Sequence, residues 1–147
     1  MALTAHTYTM LTKSLADKLA NLETDALKCM LLSAYTVGST QDTAQFVADV
    51  LAVGTEASGT GYTAGGQALT SVTLTKSGHV YTLTCANPSW TTSTITASYA
   101  LFLDSTPGSN ATNPVICYWD FGGASSSSAG TFTLTISGSG LVTFTGS

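Results

Sequence analysis

Arginine is absent from this chain, and charge of either sign is scarce. Four lysines and eight acidic residues among 147 make 8% charged, where a globular domain ordinarily carries about 25%. The lysines, Lys13, Lys18, Lys28 and Lys76, all lie in the first 76 residues, and beyond them stand only Asp104, Asp120 and His79. Nucleic-acid binding needs several cations to neutralise phosphates. Direct contact with DNA or RNA is therefore not expected, nor is a polybasic attachment to membranes. No apolar run reaches the ~18 residues of a membrane-spanning helix. The opening MALTAHTYTML has no basic segment followed by an apolar one, so it does not read as a signal peptide. Three cysteines, Cys29, Cys85 and Cys117, are far apart and odd in number, without a CxxC pair, and there are two histidines. Such spacing fits no metal centre, and the thiols read as free and buried.

What remains is apolar and hydroxyl-rich. At 44% apolar residues, one domain of this length can bury about two-thirds of its unfolded surface. Threonine, whose branched Cβ suits a pleated surface, supplies much of the polarity. A surface solubilised by hydroxyls repels other chains weakly, which suits a subunit packed into an assembly.

The stretch Ser93–Asp104, STITASYALFLD, organises the rest. Ile95, Ala97, Tyr99, Leu101 and Leu103 alternate with polar residues until Ala100 and Phe102. That is a strand with one face in a core and both faces covered near its end. Its companion, Pro114–Phe121, puts Val115, Cys117, Trp119 and Phe121 on one face. Upstream, residues 1–10 read as an uncharged arm. Leu11, Leu15, Leu19 and Leu22 follow at helical spacing, then a break near Glu23–Asp25 and a strand to Tyr35. Asp42 caps a second predicted helix with Phe46, Val47, Val50 and Leu51 inward. Residues 54–66, GTEASGTGYTAGG, read as a long ordered loop. From Gln67 onward β runs follow one another, with a hairpin through Ser77–Gly78 and, within Gly122–Gly130, a serine run that reads as flexible or as a loop tip. The expected fold is mainly β: an antiparallel β-sandwich or jelly-roll-like body with short N-terminal helices and an arm. It is one domain, with residues 1–22 as arm and helix, 23–58 as strand and second helix, and 59–147 as the body.

The motifs that could carry chemistry read as structural. Gly59, Gly61 and Ala64 fit G-x-G-x-x-A, but a β run follows where a dinucleotide site needs a helix. Asp120-Phe-Gly122 spells a kinase tripeptide without the other kinase motifs. No nucleophile elbow accompanies His6 or His79. Asp104 and Asp120 end adjacent β runs, and a small hydrolase using both is the rival from the enzyme class. Trp90, Trp119, Tyr62, Tyr81 and Tyr99 read as core before they read as a sugar-stacking platform.

The order of segments resembles a family of small virion structural proteins of tailed bacteriophages. The most specific pieces are Gly59-Thr-Gly-Tyr62-Thr-Ala-Gly65-Gly66 and, further on, Trp90 with Ser93-Thr-Ile-Thr96-Ala and Tyr99-Ala. Leu11–Leu19, Thr24–Tyr35, Phe46–Val50, Pro114-Val-Ile116 and Asp120-Phe-Gly122 also match. Ser98 stands where the family often carries a charge. The resemblance implies a capsid decoration or cement protein on the outside of the phage head, made in the host cytoplasm. It implies no catalytic residue, cofactor or metal. The expected partners are the major capsid protein and further copies of this chain, as a trimer. The arm would reach capsid subunits through His6 and Tyr8, while Gly61, Tyr62 and Trp90 are candidate contact residues of the body. The alternative is a neck, tail or head-fibre component with a carbohydrate-binding surface.

Overall fold

The computed structural model describes residues 3–146. It is mainly β and antiparallel, as expected, with a few short helices. Strand β8 (Ser89–Asp104) organises it. One half of β8 lies between β2 (Leu27–Tyr35) and β9 (Val115–Ser126), and the other pairs with β4 (Gly59–Thr60) and β10 (Gly130–Thr133). Strand β1 (Thr4–Thr7) lies outside β9, and β3 (Gly54–Glu56) and β5 (Gln67–Ala68) add to β2. These eight strands make one curled sheet, like half a barrel. A second sheet of three strands is ordered β11 (Val142–Thr145), β7 (Val80–Thr84), β6 (Thr73–Ser77). The expected hairpin joins β6 to β7, with Ser77 paired to Val80.

Apolar residues on both faces of β2 build two cores. Cys29 and Leu31 join one cluster, with Leu83 and Val142 of the second sheet. Met30 and Leu32 join the other, under α2 (Thr40–Thr43) and α3 (Val47–Leu51), with Val47 and Val50. Each such fully buried side chain contributes about 1.5–3 kcal/mol. Strand β8 serves both cores, but its alternation breaks. Ile95 and Ala97 face the first core, as do Ala100 and Phe102, while Leu101 and Leu103 face the second. The register with β9 shifts between Ala97 and Tyr99, and a shifted register reverses the parity of all that follows. A second shift beside Phe102 turns Val115 to the second core, leaving Cys117, Trp119 and Phe121 in the first.

Several local expectations are corrected. The residues expected to form an arm are part of the sheet: β1 pairs Thr4–Thr7 with Asp120–Cys117, and Tyr8 is fully buried behind it. The first helix, α1 (Met10–Ala16), stops before Leu19, which is 41% exposed, while Leu22 is buried. Lys18, at φ 59°, turns the chain there. The second predicted helix is split into α2 and α3 around Ala44–Phe46, where the Asp49 carboxylate accepts the N–H groups of Gln45 and Phe46 at 3.0 and 2.9 Å. Half of the serine run is strand: Ser125 and Ser126 continue β9, paired to Ala97 and Thr96, while Ser127 and Ser128 lie in the turn that leads to β10. The main sheet draws on all three stretches of the chain, since β1 and β2 pair with strands of residues 59–147.

Candidate functional site

The candidate contact residues fall into two aromatic clusters. His6 lies on β1 opposite Tyr118, and their rings stack at 4.9 Å. Tyr8 and Tyr35 pack against the same Tyr118 ring, each at 5.4 Å. The phenols continue into a polar chain: Tyr35 shares a hydrogen bond with the Thr40 hydroxyl at 2.9 Å, and Tyr118 donates to Gln41 at 3.1 Å. This cluster ties β1, β2 and β9 to α2. Tyr8 therefore presents almost no surface to a partner, and His6 is half-buried.

Gly61, Tyr62 and Trp90 come together at the other end of β8. Gly59 and Thr60 pair with Ile95 and Thr94, and Tyr62 lies over Trp90 with ring centroids 6.2 Å apart. Trp90 meets Phe132 edge-on at 6.0 Å and is buried, so it is a core residue rather than an open contact. Glu56 ties the loop together. One carboxylate oxygen accepts the Tyr62 hydroxyl at 2.9 Å and the Gly65 N–H at 2.6 Å, while the Tyr62 oxygen accepts the Leu31 N–H at 3.0 Å. At Gly66, φ is +80° and an added Cβ would fall 2.2 Å from the Cys29 carbonyl oxygen, so only glycine fits there. Sequence reasoning missed the task of Glu56. Its one visible signal was a lone carboxylate in an otherwise uncharged loop.

Burial pushes the phenols of Tyr8 and Tyr62 well above the usual tyrosine range, and that of Tyr118 up to about 12. Burial likewise raises the thiols of Cys29 and Cys117, and that of Cys85 to about 11. All three cysteines are free, and a protonated thiol is a poor nucleophile. The two aspartates of the hydrolase alternative do not meet. Asp104 pairs with Leu27, and Asp120 pairs with Tyr99. From Tyr99 to Asp104 along β8 is about 17 Å at ~3.3 Å per residue, beyond the ~5–9.5 Å between glycosidase carboxylates. Asp104 is fully buried; one oxygen accepts the Thr106 N–H at 2.9 Å, and the other has no donor. Burial raises its carboxyl to about 6; the Thr106 bond opposes this and the neighbouring Asp25 carboxyl adds to it. Among the described residues no group of three or more His, Cys, Asp or Glu is placed to hold a metal, and no helix is long and apolar enough to cross a membrane.

An apolar concavity of about 540 Å³ lies between the segment after α1 and the second sheet, lined by Leu15, Leu22, Leu74, Tyr81 and Phe144. Its Tyr81 is 43% exposed. Lys18 and Glu23 also line it. No protein-family model, no curated protein and no solved structure matches this chain.

Proposed function

We propose that this chain is a structural, non-catalytic virion protein, and specifically a decoration or cement protein of a phage head. One observation carries the proposal. The two stretches on which the resemblance rests most heavily pack into a single unit, with Gly59–Thr60 paired to Thr94–Ile95 and Tyr62 over Trp90. A motif split across the sequence is thus one piece of architecture, as expected if it defines a shared fold. The charge-poor, hydroxyl-rich composition supports a part that works by being gripped.

The mechanism is mechanical. A body of this kind, as a trimer, would sit over a junction between capsomers and touch several copies of the major capsid protein at once. Individually modest contacts then reinforce one another through high effective concentration. Because β1 is built into the sheet, the grip comes from rigid surfaces rather than from a detachable arm. The groove bearing Tyr81 is an apolar surface available for it.

The test is the quantitative protein content of purified particles made by the genome that encodes this chain. Hundreds of copies per particle support decoration. A dozen or fewer would move the protein to the neck or tail. Its absence from particles, together with turnover of a substrate by the isolated protein, would end the proposal.

A further inference from the structure

We propose that the free edge of β1 takes up an extended, uncharged segment of another polypeptide, which adds as one more strand along the cleft between β1 and β11. The inference stands apart from the virion reading. It rests on where the backbone groups of two edges are directed. The Tyr8 N–H bonds the Ile116 carbonyl at 3.2 Å, continuing the register of Thr4 with Asp120 and His6 with Tyr118. In an antiparallel ladder, residue pairs that exchange hydrogen bonds alternate with pairs that do not. The even-numbered residues of β1 therefore bond β9, and the backbone N–H and C=O groups of Ala5 and Thr7 point the other way. Both residues are exposed, and those groups meet no backbone partner among the described residues. Strand β11 repeats the arrangement. The Gly146 N–H bonds the His79 carbonyl at 2.8 Å, in register with Val142–Leu83 and Phe144–Tyr81, so the groups of exposed Thr143 and Thr145 are directed away from β7.

The two edges border one cleft of about 270 Å³, with Leu3, Ala5 and Thr7 on one wall and Leu141, Val142 and Thr143 on the other. Sheet edges are ordinarily guarded by charge, proline or a bulge. The two sheet orders end in β1 and β3, and in β11 and β6. Strand β3 carries Glu56 and β6 carries Lys76. Strands β1 and β11 carry no lysine, acid or proline, and the pairing of β1 with β9 runs without a register shift. The two unguarded ends are thus the two that share the cleft. Its lining sets the chemistry of the occupant. No residue around it carries a charge, so a charged segment would lose hydration and gain no counter-charge. Backbone pairing at a sheet edge supplies affinity, and alternate side chains supply fit; here apolar ones would meet Leu3 and Leu141. A second copy offering its own β1 would bring β9 with it, while β11 already closes the far side. A strand with no sheet behind it is the occupant that fits.

The probe is an end-capped Thr-Val-Thr-Val-Thr peptide with a fluorophore at one end, titrated into the full-length protein and read by anisotropy. Saturable binding is expected, and the backbone amide resonances of Ala5 and Thr7 are expected to move with it. Proline is tolerated on an edge strand where its missing N–H faced outward. Ala5→Pro is therefore expected to keep the unfolding midpoint and to weaken binding about five-fold, the loss of one hydrogen bond. His6→Pro removes a donor to β9 and is expected to lower the midpoint. The same peptide with every amide N-methylated keeps its side chains, loses its donors and is expected not to bind. The proposal falls if the plain peptide does not bind, if the N-methylated one binds as well, or if Ala5→Pro keeps full affinity. It falls if Ala5→Pro destabilises the fold more than His6→Pro, since the edge groups then point toward β9. It falls also if the free protein sediments as a dimer that Ala5→Pro makes monomeric, since the edge then belongs to a second copy.

Discussion

The Tyr8 hydroxyl donates a hydrogen bond of 2.9 Å to the Tyr35 hydroxyl, inside the core and across 27 residues of sequence. It fastens the N-terminal strand to the centre of the main sheet. Tyr8→Phe removes the donor and is expected to lower stability by about 1 kcal/mol. Tyr8→Ala empties a fully buried site and is expected to cost about 3–5 kcal/mol. Deleting residues through Tyr8 should cost at least as much, because the β1 ladder goes too. Denaturant unfolding measures all three, and a truncated protein as stable as the intact one would refute the integrated placement of β1.

The knot around Glu56 gives a second expectation. Gly66→Ala drives a Cβ into the Cys29 carbonyl from a positive φ, and a loss of about 3 kcal/mol is expected. Glu56→Gln keeps the shape but replaces charge-assisted bonds with neutral ones, and should cost about 1–2 kcal/mol. The ordering of the two losses is the discriminating result in thermal melts. Equal losses would mean that the loop is held by something other than its backbone approach to β2.

Thr92 lies within β8 at φ 50°, a conformation that β-branched residues rarely adopt. Its side chain is exposed, so little packing is lost by replacing it. Thr92→Gly is expected to raise stability by about 1 kcal/mol, read as a shift of the denaturation midpoint. A destabilised variant would show that the threonine side chain contributes more than its backbone strain takes away.

Asp104 gives a pH dependence. Its carboxyl is raised to about 6 in the fold from an ordinary 3.8. Folding therefore favours the protonated form, and the stabilisation from this site is complete below about pH 4 and is lost as the pH rises through about 6. The proton also gives the donor-less oxygen something to offer Asp25. Asp104→Asn is neutral at every pH. It should be more stable than the parent above about pH 7, and the difference should close toward pH 4. A difference that is constant across that range would contradict the raised carboxyl.

Much of the architecture was legible in the chain. The alternation in Ser93–Asp104 marked the central strand, and apolar residues on both parities near its end marked the stretch that two cores cover. Ser77–Gly78 marked a hairpin. The candidate site was less legible. As members of a sequence, Tyr8 reads as part of an arm and Trp90 both as core and as a candidate contact, and only their neighbours decide. Leu19 keeps the helical spacing yet lies outside α1, since a local period does not record where a chain turns away. The serine run carries no apolar pattern, so nothing local marked it as strand. Its partners are backbone groups and hydroxyls of Ala97, Thr96 and Ser93.

By itself the amino-acid sequence determined the mainly β character, the position of the central strand and the poverty of charge, because periodicity and composition are local or additive properties of a chain. The tertiary structure alone decided that β1 belongs to the main sheet, that β8 changes faces midway, and that the edges of β1 and β11 border one cleft. Each of these depends on which distant backbone supplies the partner to a hydrogen-bonding group. Every residue carries much the same backbone donor and acceptor, so that choice is made only when the two cores close.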